Sequence, residues 1–268
     1  MNYWTEQSIE FAQQRNYLDE LFKVYPINPN IRRELSHSQV EKIRETYALR
    51  NNFLLVETLL KTELFPLKDS YVPFLRRDKN AIKRNPQTIN RIAGNLYQMG
   101  IDTIIEKCTE PKETNRQMGS LFKNWIQKNI IGVTIFNNPD DFLNCNENCL
   151  FNSSDIIMKN FAKKFLGFNR DKGIDFLAKF NNKYVVGEAK FLTDFGGHQN
   201  AQFYDALDSD SVHSFNGTKN IDNEVIPVAI LDGVLYLSGK NKMHKYLIKN
   251  SVDNIFSALV LREFLYSL

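Results

Sequence analysis

Gly173-Ile-Asp-Phe-Leu-Ala-Lys-Phe-Asn-Asn-Lys-Tyr-Val-Val-Gly-Glu-Ala-Lys190 is the stretch on which the fold turns. Gly173 to Phe180 and Lys183 to Phe191 carry the period-two pattern of strands, and Asn181-Asn182 between them suits the positive φ of a two-residue turn. Such a turn pairs Phe180 with Lys183 and, further along the ladder, Asp175 with Glu188, with their side chains ~5 Å apart on one face. Lys190 lies two residues along and shares that face. The opposite face holds Ile174, Phe176, Ala178, Phe180, Val185, Gly187, Ala189 and Phe191 and is expected to be buried. A slip of one residue would exchange the two faces, so the register is well specified.

Two opposed carboxylates repel each other, and a positive charge is expected between them. A hard divalent cation meets that need, because Mg²⁺ takes oxygen ligands and keeps waters and substrate phosphate oxygens beside one or two carboxylates. Lys190 is then placed to orient an attacking water, whose pKa the metal lowers. The competing reading is a surface ion-pair ladder on an ordinary hairpin. Gly187 and Ala189, which keep the strand slim around Glu188, weigh against it, as does the expected α-β-β-α order.

Upstream of the hairpin, residues 1–110 are expected to form a helical N-terminal region, with 111–268 as a separate core. Apolar positions recur at three and four, as in Ile9, Tyr17, Leu18, Leu21 and Phe22, and in Phe53, Leu54, Val56, Leu59 and Leu60. Thr88, Ile89, Ile92, Ala93, Leu96 and Tyr97 mark an amphipathic helix closed by Gly100. Helices are also expected over Thr114–Lys128, Asp155–Leu166, His198–Leu207 and Asp253–Leu265. Asn137 to Ser154 reads as loop. Val225–Leu231 reads as a strand, with Asp232-Gly233 turning a hairpin back into Val234–Leu237.

With 268 residues, 43% of them hydrophobic, the chain can bury a substantial core. Its N-terminus lacks the basic and apolar segments of a signal peptide, and no apolar run approaches the roughly 20 residues of a membrane span. A soluble, cytoplasmic protein without a membrane partner is expected. Three cysteines form an odd count read as reduced thiols; Cys145 and Cys149 have ligand-like spacing but no second Cys or His pair for zinc. The net charge of +3 permits a nucleic-acid partner without demanding one. More informative is the basic run Arg76, Arg77, Lys79, Lys83, Arg84 and Arg91, opposed only by Asp78, which reads either as a phosphate-tracking surface or as a solvated face.

Asp175 followed by Glu188-Ala189-Lys190 after a hydrophobic strand resembles the PD-(D/E)XK nuclease superfamily, and the whole reads like a type II restriction endonuclease. The resemblance covers about Thr114 to Leu237. It implies a restriction-endonuclease-like α/β (α+β) fold, with a mixed central sheet flanked by helices. It also implies Mg²⁺-dependent, sequence-specific hydrolysis of double-stranded DNA, a homodimer, and a cognate DNA methyltransferase as companion. Asp175 and Glu188 would bind the metal with the carbonyl of Ala189, and Lys190 would assist the nucleophilic water. Ile174 stands where the motif name has Pro, and Arg116–Lys123 lacks the Glu many relatives place there, with Glu113 a distant substitute.

Beside this centre, Thr193, Asp194, His198, Gln199 and Gln202 follow the catalytic strand and are expected to contact DNA, with Gly196-Gly197 letting backbone approach a phosphate. Arg76, Arg77, Arg84 and Arg116 are expected to contact phosphates. Lys163, Lys164, Arg170 and Lys172 precede Asp175 as further candidates for the groove. A repair or junction nuclease of the same superfamily is the alternative function, and a noncatalytic DNA-binding protein is a second.

Overall fold

A computed structural model of the protein describes residues 1–113, 117–210, 212–239 and 241–268. The chain divides into two units, Met1–Ile27 with Asn115–Leu268, and Asn28–Thr114. The first 27 residues therefore join the second part of the chain, where a continuous N-terminal region over 1–110 was expected. Their helices, α1 (Tyr3–Ala12) and α2 (Tyr17–Val24), are tied to segments far away in sequence. Thr5 Oγ1 donates to the Ile255 carbonyl at 2.7 Å, the Ser257 N–H donates to Ser8 Oγ at 2.9 Å, and Trp4 packs edge-on against Phe264. Periodicity showed that these residues were helical but not what their apolar stripe would meet. Tyr17 and Leu21 are buried as expected, whereas Leu18 and Phe22 are exposed.

The unit Asn28–Thr114 holds α3 (His37–Ala48), α4 (Asn52–Leu60), α5 (Val72–Arg77), α6 (Ala81–Arg84), α7 (Pro86–Met99) and α8 (Ile101–Cys108). A Ser36–Gln39 capping box opens α3, and Gly100, at φ +84°, closes α7 as expected. The core includes Ile43, Leu55, Leu59, Ile89, Ile92, Leu96 and Ile104, while Phe53 and Leu54 face solvent. Arg33 closes the unit. Its buried guanidinium donates to Glu63 at 3.1 Å, to Glu113 at 2.5 Å and to the carbonyls of Glu110 and Pro111, joining the segments where the chain enters and leaves.

The other unit is built on a mixed six-stranded sheet in the order β1 (Thr134–Phe136), β2 (Cys149–Phe151), β3 (Phe176–Phe180), β4 (Lys183–Leu192), β5 (Val225–Gly233) and β6 (Asn254–Phe256). β3 runs antiparallel to both its neighbours, β2 and β4, and the outer pairs β1–β2, β4–β5 and β5–β6 are parallel. Around it lie α9 (Met118–Gln127), α10 (Pro139–Asn144), α11 (Asp155–Phe165), α12 (Gly197–Asp210), α13 (Lys242–Lys249) and α14 (Leu261–Tyr266). This is the restriction-endonuclease-like α+β arrangement expected. Asn181 and Asn182 adopt φ of +47° and +61°, and the register Phe180↔Lys183 through Phe176↔Gly187 is the one the two-residue turn requires.

Both faces of the hairpin are covered. Phe176, Ala178, Phe180 and Val185 join one core with Phe122, whereas Leu177, Tyr184 and Val186 join a second with Phe142, Phe151 and Phe161. Lys179 is buried as well, its Nζ donating to the Cys145 carbonyl at 2.6 Å. Charge on this hairpin is thus concentrated at its open end.

Three local expectations are corrected. Asp232-Gly233 does not turn a hairpin: β5 runs parallel to β4 as far as Leu192↔Gly233, and Val234–Tyr236 is a single 3-10 turn. Gly233 is needed there because it sits at φ +102° and a Cβ would meet the Leu192 carbonyl oxygen at 2.1 Å. The expected helix Asp253–Leu265 is instead β6, a 3-10 turn at Ala258–Val260 and α14, because pairing with β5 outweighs local helical periodicity. The Asn137–Ser154 loop contains α10, capped by Asn138, and the buried strand β2. The three cysteines are free.

Candidate active site

Asp175 immediately precedes β3, and β4 fixes it from two sides. Its N–H donates to the Gly187 carbonyl at 3.1 Å, and its Oδ2 accepts the Ala189 N–H at 3.1 Å. The two contacts flank Glu188, as the register demands. Gly187 can hold this place because β5 passes close by; a Cβ on it would lie 2.2 Å from the Val228 carbonyl oxygen. On the other side α9 begins beside the carboxylate, where a Cβ on Gly119 would be 3.9 Å from Asp175 Oδ1.

Lys190 joins the two acids. Its Nζ is 3.5 Å from Asp175 Oδ2 and 3.3 Å from Glu188 Oε2. Burial pushes its pKa down, but the fields of Asp175 and Glu188 more than offset this, and the net displacement is upward. Without a metal, Lys190 is therefore held as an ammonium by the two carboxylates, able to donate hydrogen bonds and stabilise negative charge.

Glu188 is the most deeply placed member, its side chain 3% exposed. Neither of its oxygens has a hydrogen bond of proper geometry among the described residues. An isolated carboxylate so buried would cost several kcal/mol. Two ammoniums offset that cost by proximity, Lys190 and also Lys172, whose Nζ lies 2.8 Å from Glu188 Oε1 and 2.6 Å from Asp205 Oδ2 on α12. The sequence reading placed Lys172 only among basic residues near a groove. Nothing in its spacing, on an irregular segment before β3, revealed the contact.

The expected DNA-contacting residues separate by environment. Thr193, Asp194 and His198 are exposed beyond the end of β4, with Gln202 beside His198, their ring and amide nitrogens 3.1 Å apart. Gln199 is instead buried; its amide accepts the Thr193 N–H at 3.3 Å and faces Thr193 Oγ1 at 3.4 Å, so it shapes the loop from within. In the helical unit, Arg76 donates to the Thr62 carbonyl at 2.7 Å and to that of Glu63 at 3.2 Å, and Arg84 pairs with Asp78. Arg91 pairs with Asp69 at 2.6 Å. Arg77, Lys79 and Lys83 point to solvent. Arg116 lies outside the described residues.

The donor set suits a hard, substrate-shared cation. No group of three or more His, Cys, Asp or Glu side chains able to hold a metal occurs among the described residues, so an all-protein cage is not the pattern. The Asp175 and Glu188 carboxylates, bridged by Lys190, are a sparser oxygen set of the kind that shares a cation with water and phosphate, and the unsatisfied Glu188 oxygens fit such a cation.

A mixed sheet of this order, with an Asp and a Glu-x-Lys at the open end of its central hairpin, defines the restriction-endonuclease class of fold. The chain matches the Tsp45I type II restriction enzyme family over residues 2–268 and belongs to it. Neither a curated protein nor a solved structure matches it. It is accordingly a type II restriction endonuclease, a site-specific hydrolase of phosphodiester bonds in double-stranded DNA, and nothing favours the repair-nuclease or noncatalytic readings. Enzymes of this class generally need a divalent metal. No helix among the described residues is long and apolar enough to cross a membrane.

Proposed function

We propose that Asp175, Glu188 and Lys190 are the catalytic residues and that the metal is Mg²⁺, held by the carboxylates of Asp175 and Glu188 and the carbonyl of Ala189. The observation that carries this reading is Glu188, a buried carboxylate with no hydrogen bond on either oxygen, linked through one lysine to a second carboxylate. Bound there, Mg²⁺ would lower the pKa of a water and offset charge building on phosphorus. Asp175, anchored by the Ala189 amide, sets the depth at which the reacting phosphate sits. Lys190 orients the attacking water and stabilises charge developing on the phosphoryl oxygens. Proton acceptance falls to solvent or to the phosphate itself.

Thr193, Asp194, His198 and Gln202 contact DNA beside this centre, and exposed cations of the helical unit, Arg77 foremost, hold phosphates. Cleavage of both strands of a two-fold symmetric site calls for a homodimer. A companion methyltransferase protects the host's own sites, and both proteins work in the cytoplasm.

The test is incubation of phage or plasmid DNA with the protein and Mg²⁺. Discrete fragments that disappear in Glu188→Ala are expected. Fragments that persist in Glu188→Ala would overturn the assignment of the centre.

A further inference from the structure

Lys172 bridges the buried acid of the active site to a half-exposed acid on a neighbouring helix. Its Nζ donates to Asp205 Oδ2 at 2.6 Å and to the Asp205 carbonyl at 3.2 Å, and pairs by charge with Glu188 Oε1 at 2.8 Å. The two acids differ in what they need. Asp205, with 51% of its side chain exposed, is solvated by water, whereas Glu188 is not. The contact with Glu188 is the one that stabilises the fold.

Both oxygens of Glu188 are thus covered by cations, Lys172 at Oε1 and Lys190 at Oε2. A divalent ion bonded to Oε1 at ~2.1 Å would stand against the Lys172 ammonium, and at that separation the two cations repel strongly even with an effective dielectric of about 20. Lys172 must leave Oε1 for a metal to take it. Asp205 already holds it, so a short swing of a flexible side chain keeps one ion pair intact. Charge balance points the same way. Asp175, Glu188 and Asp205 face Lys172 and Lys190, which leaves one net negative charge among the five groups. A divalent cation turns that into one positive charge, and an incoming phosphodiester returns it to zero.

We infer that Lys172 is a built-in placeholder for the metal: it neutralises Glu188 in the metal-free enzyme, competes with the divalent ion, and is received by Asp205 when the ion binds. The inference rests on Glu188 being a metal ligand. It makes metal loading weak without DNA and strong once a phosphate supplies the missing negative charge, which protects against cutting by a preloaded centre that has not engaged its substrate.

The experiment is calorimetric titration of the full-length protein with Mg²⁺ in the absence of DNA, beside thermal unfolding of the metal-free forms. Lys172→Met keeps the aliphatic stem and removes the charge. It should bind Mg²⁺ at least roughly tenfold more tightly than wild type and melt at a lower temperature without metal. Lys172→Arg should keep the weak binding of wild type. Asp205→Asn should weaken binding further, because Lys172 loses the partner to which it retreats, and this variant carries the test if Lys172→Met does not fold. Equal or weaker Mg²⁺ binding by Lys172→Met, or tighter binding by Asp205→Asn, overturns the inference. Glu188→Gln separates this from failure of the site itself: if its Mg²⁺ affinity equals that of wild type, the metal is held elsewhere.

Discussion

Two buried carboxylates stand on adjacent parallel strands, Glu188 on β4 and Asp232 on β5, and they are kept in opposite ways. Glu188 has two ammoniums within 3.3 Å and no hydrogen bond of proper geometry. Asp232 is fully buried and accepts hydrogen bonds from Tyr25 Oη at 2.8 Å, Ser257 Oγ at 2.5 Å and the Ala258 N–H at 3.3 Å. Burial pushes its pKa from 3.8 up to about 6, with Ser257, Tyr25 and Ala258 holding it back. Fixed donors around Asp232 fasten Tyr25, after α2, and the turn after β6 to the sheet. Around Glu188 stand the ends of two long lysine side chains in place of fixed donors. An acid that is charge-balanced but unsatisfied is thus the mark of a site, whereas a satisfied one is the mark of a joint.

Removing each acid should separate these roles. The largest expected effect is on chemistry: Asp175→Ala or Glu188→Ala should lower cleavage by roughly a thousandfold or more, each removing a proposed metal ligand. Without metal, Glu188→Ala should melt below wild type, because Lys172 and Lys190 lose the carboxylate they share, and Asp175→Ala should be the milder of the two, since Lys190 keeps Glu188. Circular dichroism and melting beside a cleavage assay check this, and a double variant that still cut DNA would sink the assignment.

Exchanging the ion probes the same centre without touching the chain. With Ca²⁺ in place of Mg²⁺, specific DNA binding should persist while turnover stops, since Ca²⁺ accepts oxygen ligands in looser geometry and activates bound water less. A gel shift run beside a cleavage assay gives the answer, and efficient cutting in Ca²⁺ alone counts against the mechanism.

At Asp232 the expected effect is on stability and carries a definite sign. Between pH 3.8 and about 6 the folded protein keeps a proton on Asp232 that the unfolded chain has lost. The stability that this proton confers is fully present below 3.8 and is lost as pH rises through 6, in total about 3 kcal/mol. Asp232→Asn keeps acceptors for Tyr25 and Ala258 and a donor for Ser257, and should abolish that fall. At pH 8 it should be no less stable than wild type. Denaturant unfolding from pH 4 to 8 decides the matter; a variant weaker at pH 8 would mean that the ionised form is the one the fold prefers.

The smallest effect concerns the arginines, to which the same distinction applies. Arg76 and Arg84 are held by groups of their own unit, so neutralising Arg77, Lys79 and Lys83 together should be what weakens DNA binding. The loss should be alike for all sequences, with the slope of log K against log salt flattened by up to about one unit per contact. Unchanged affinity and slope would make this stretch a solvated face. Lost discrimination between sites would make the helical unit a reader of bases.

How far the site was legible follows from the range of the forces involved. The turn at Asn181-Asn182, the pairing that sets Asp175 beside Glu188, and the place of Lys190 all depend on neighbours within a single hairpin, so alternation and one turn signal sufficed. Lys172 depends on Asp205, 33 residues away on α12, and Gln199 turns inward to Thr193 only because the loop folds back on itself. Asp232-Gly233 has the composition of a turn, yet becomes the end of a parallel strand because β4 lies alongside.

By itself, then, the sequence determined the β3–β4 hairpin, its register, helices α4 and α7 and the class of chemistry, since each rests on periodicity, caps or a motif written in consecutive residues. Only the tertiary structure decided that residues 1–27 brace the sheet, that Asn254–Phe256 is strand and not helix, that Glu188 is buried between two lysines, and that Arg76 is an internal fastener. The physical reason is common to all four: burial and pairing with partners distant in the chain outweigh local propensities of about a kcal/mol, and no local pattern records which partner will arrive.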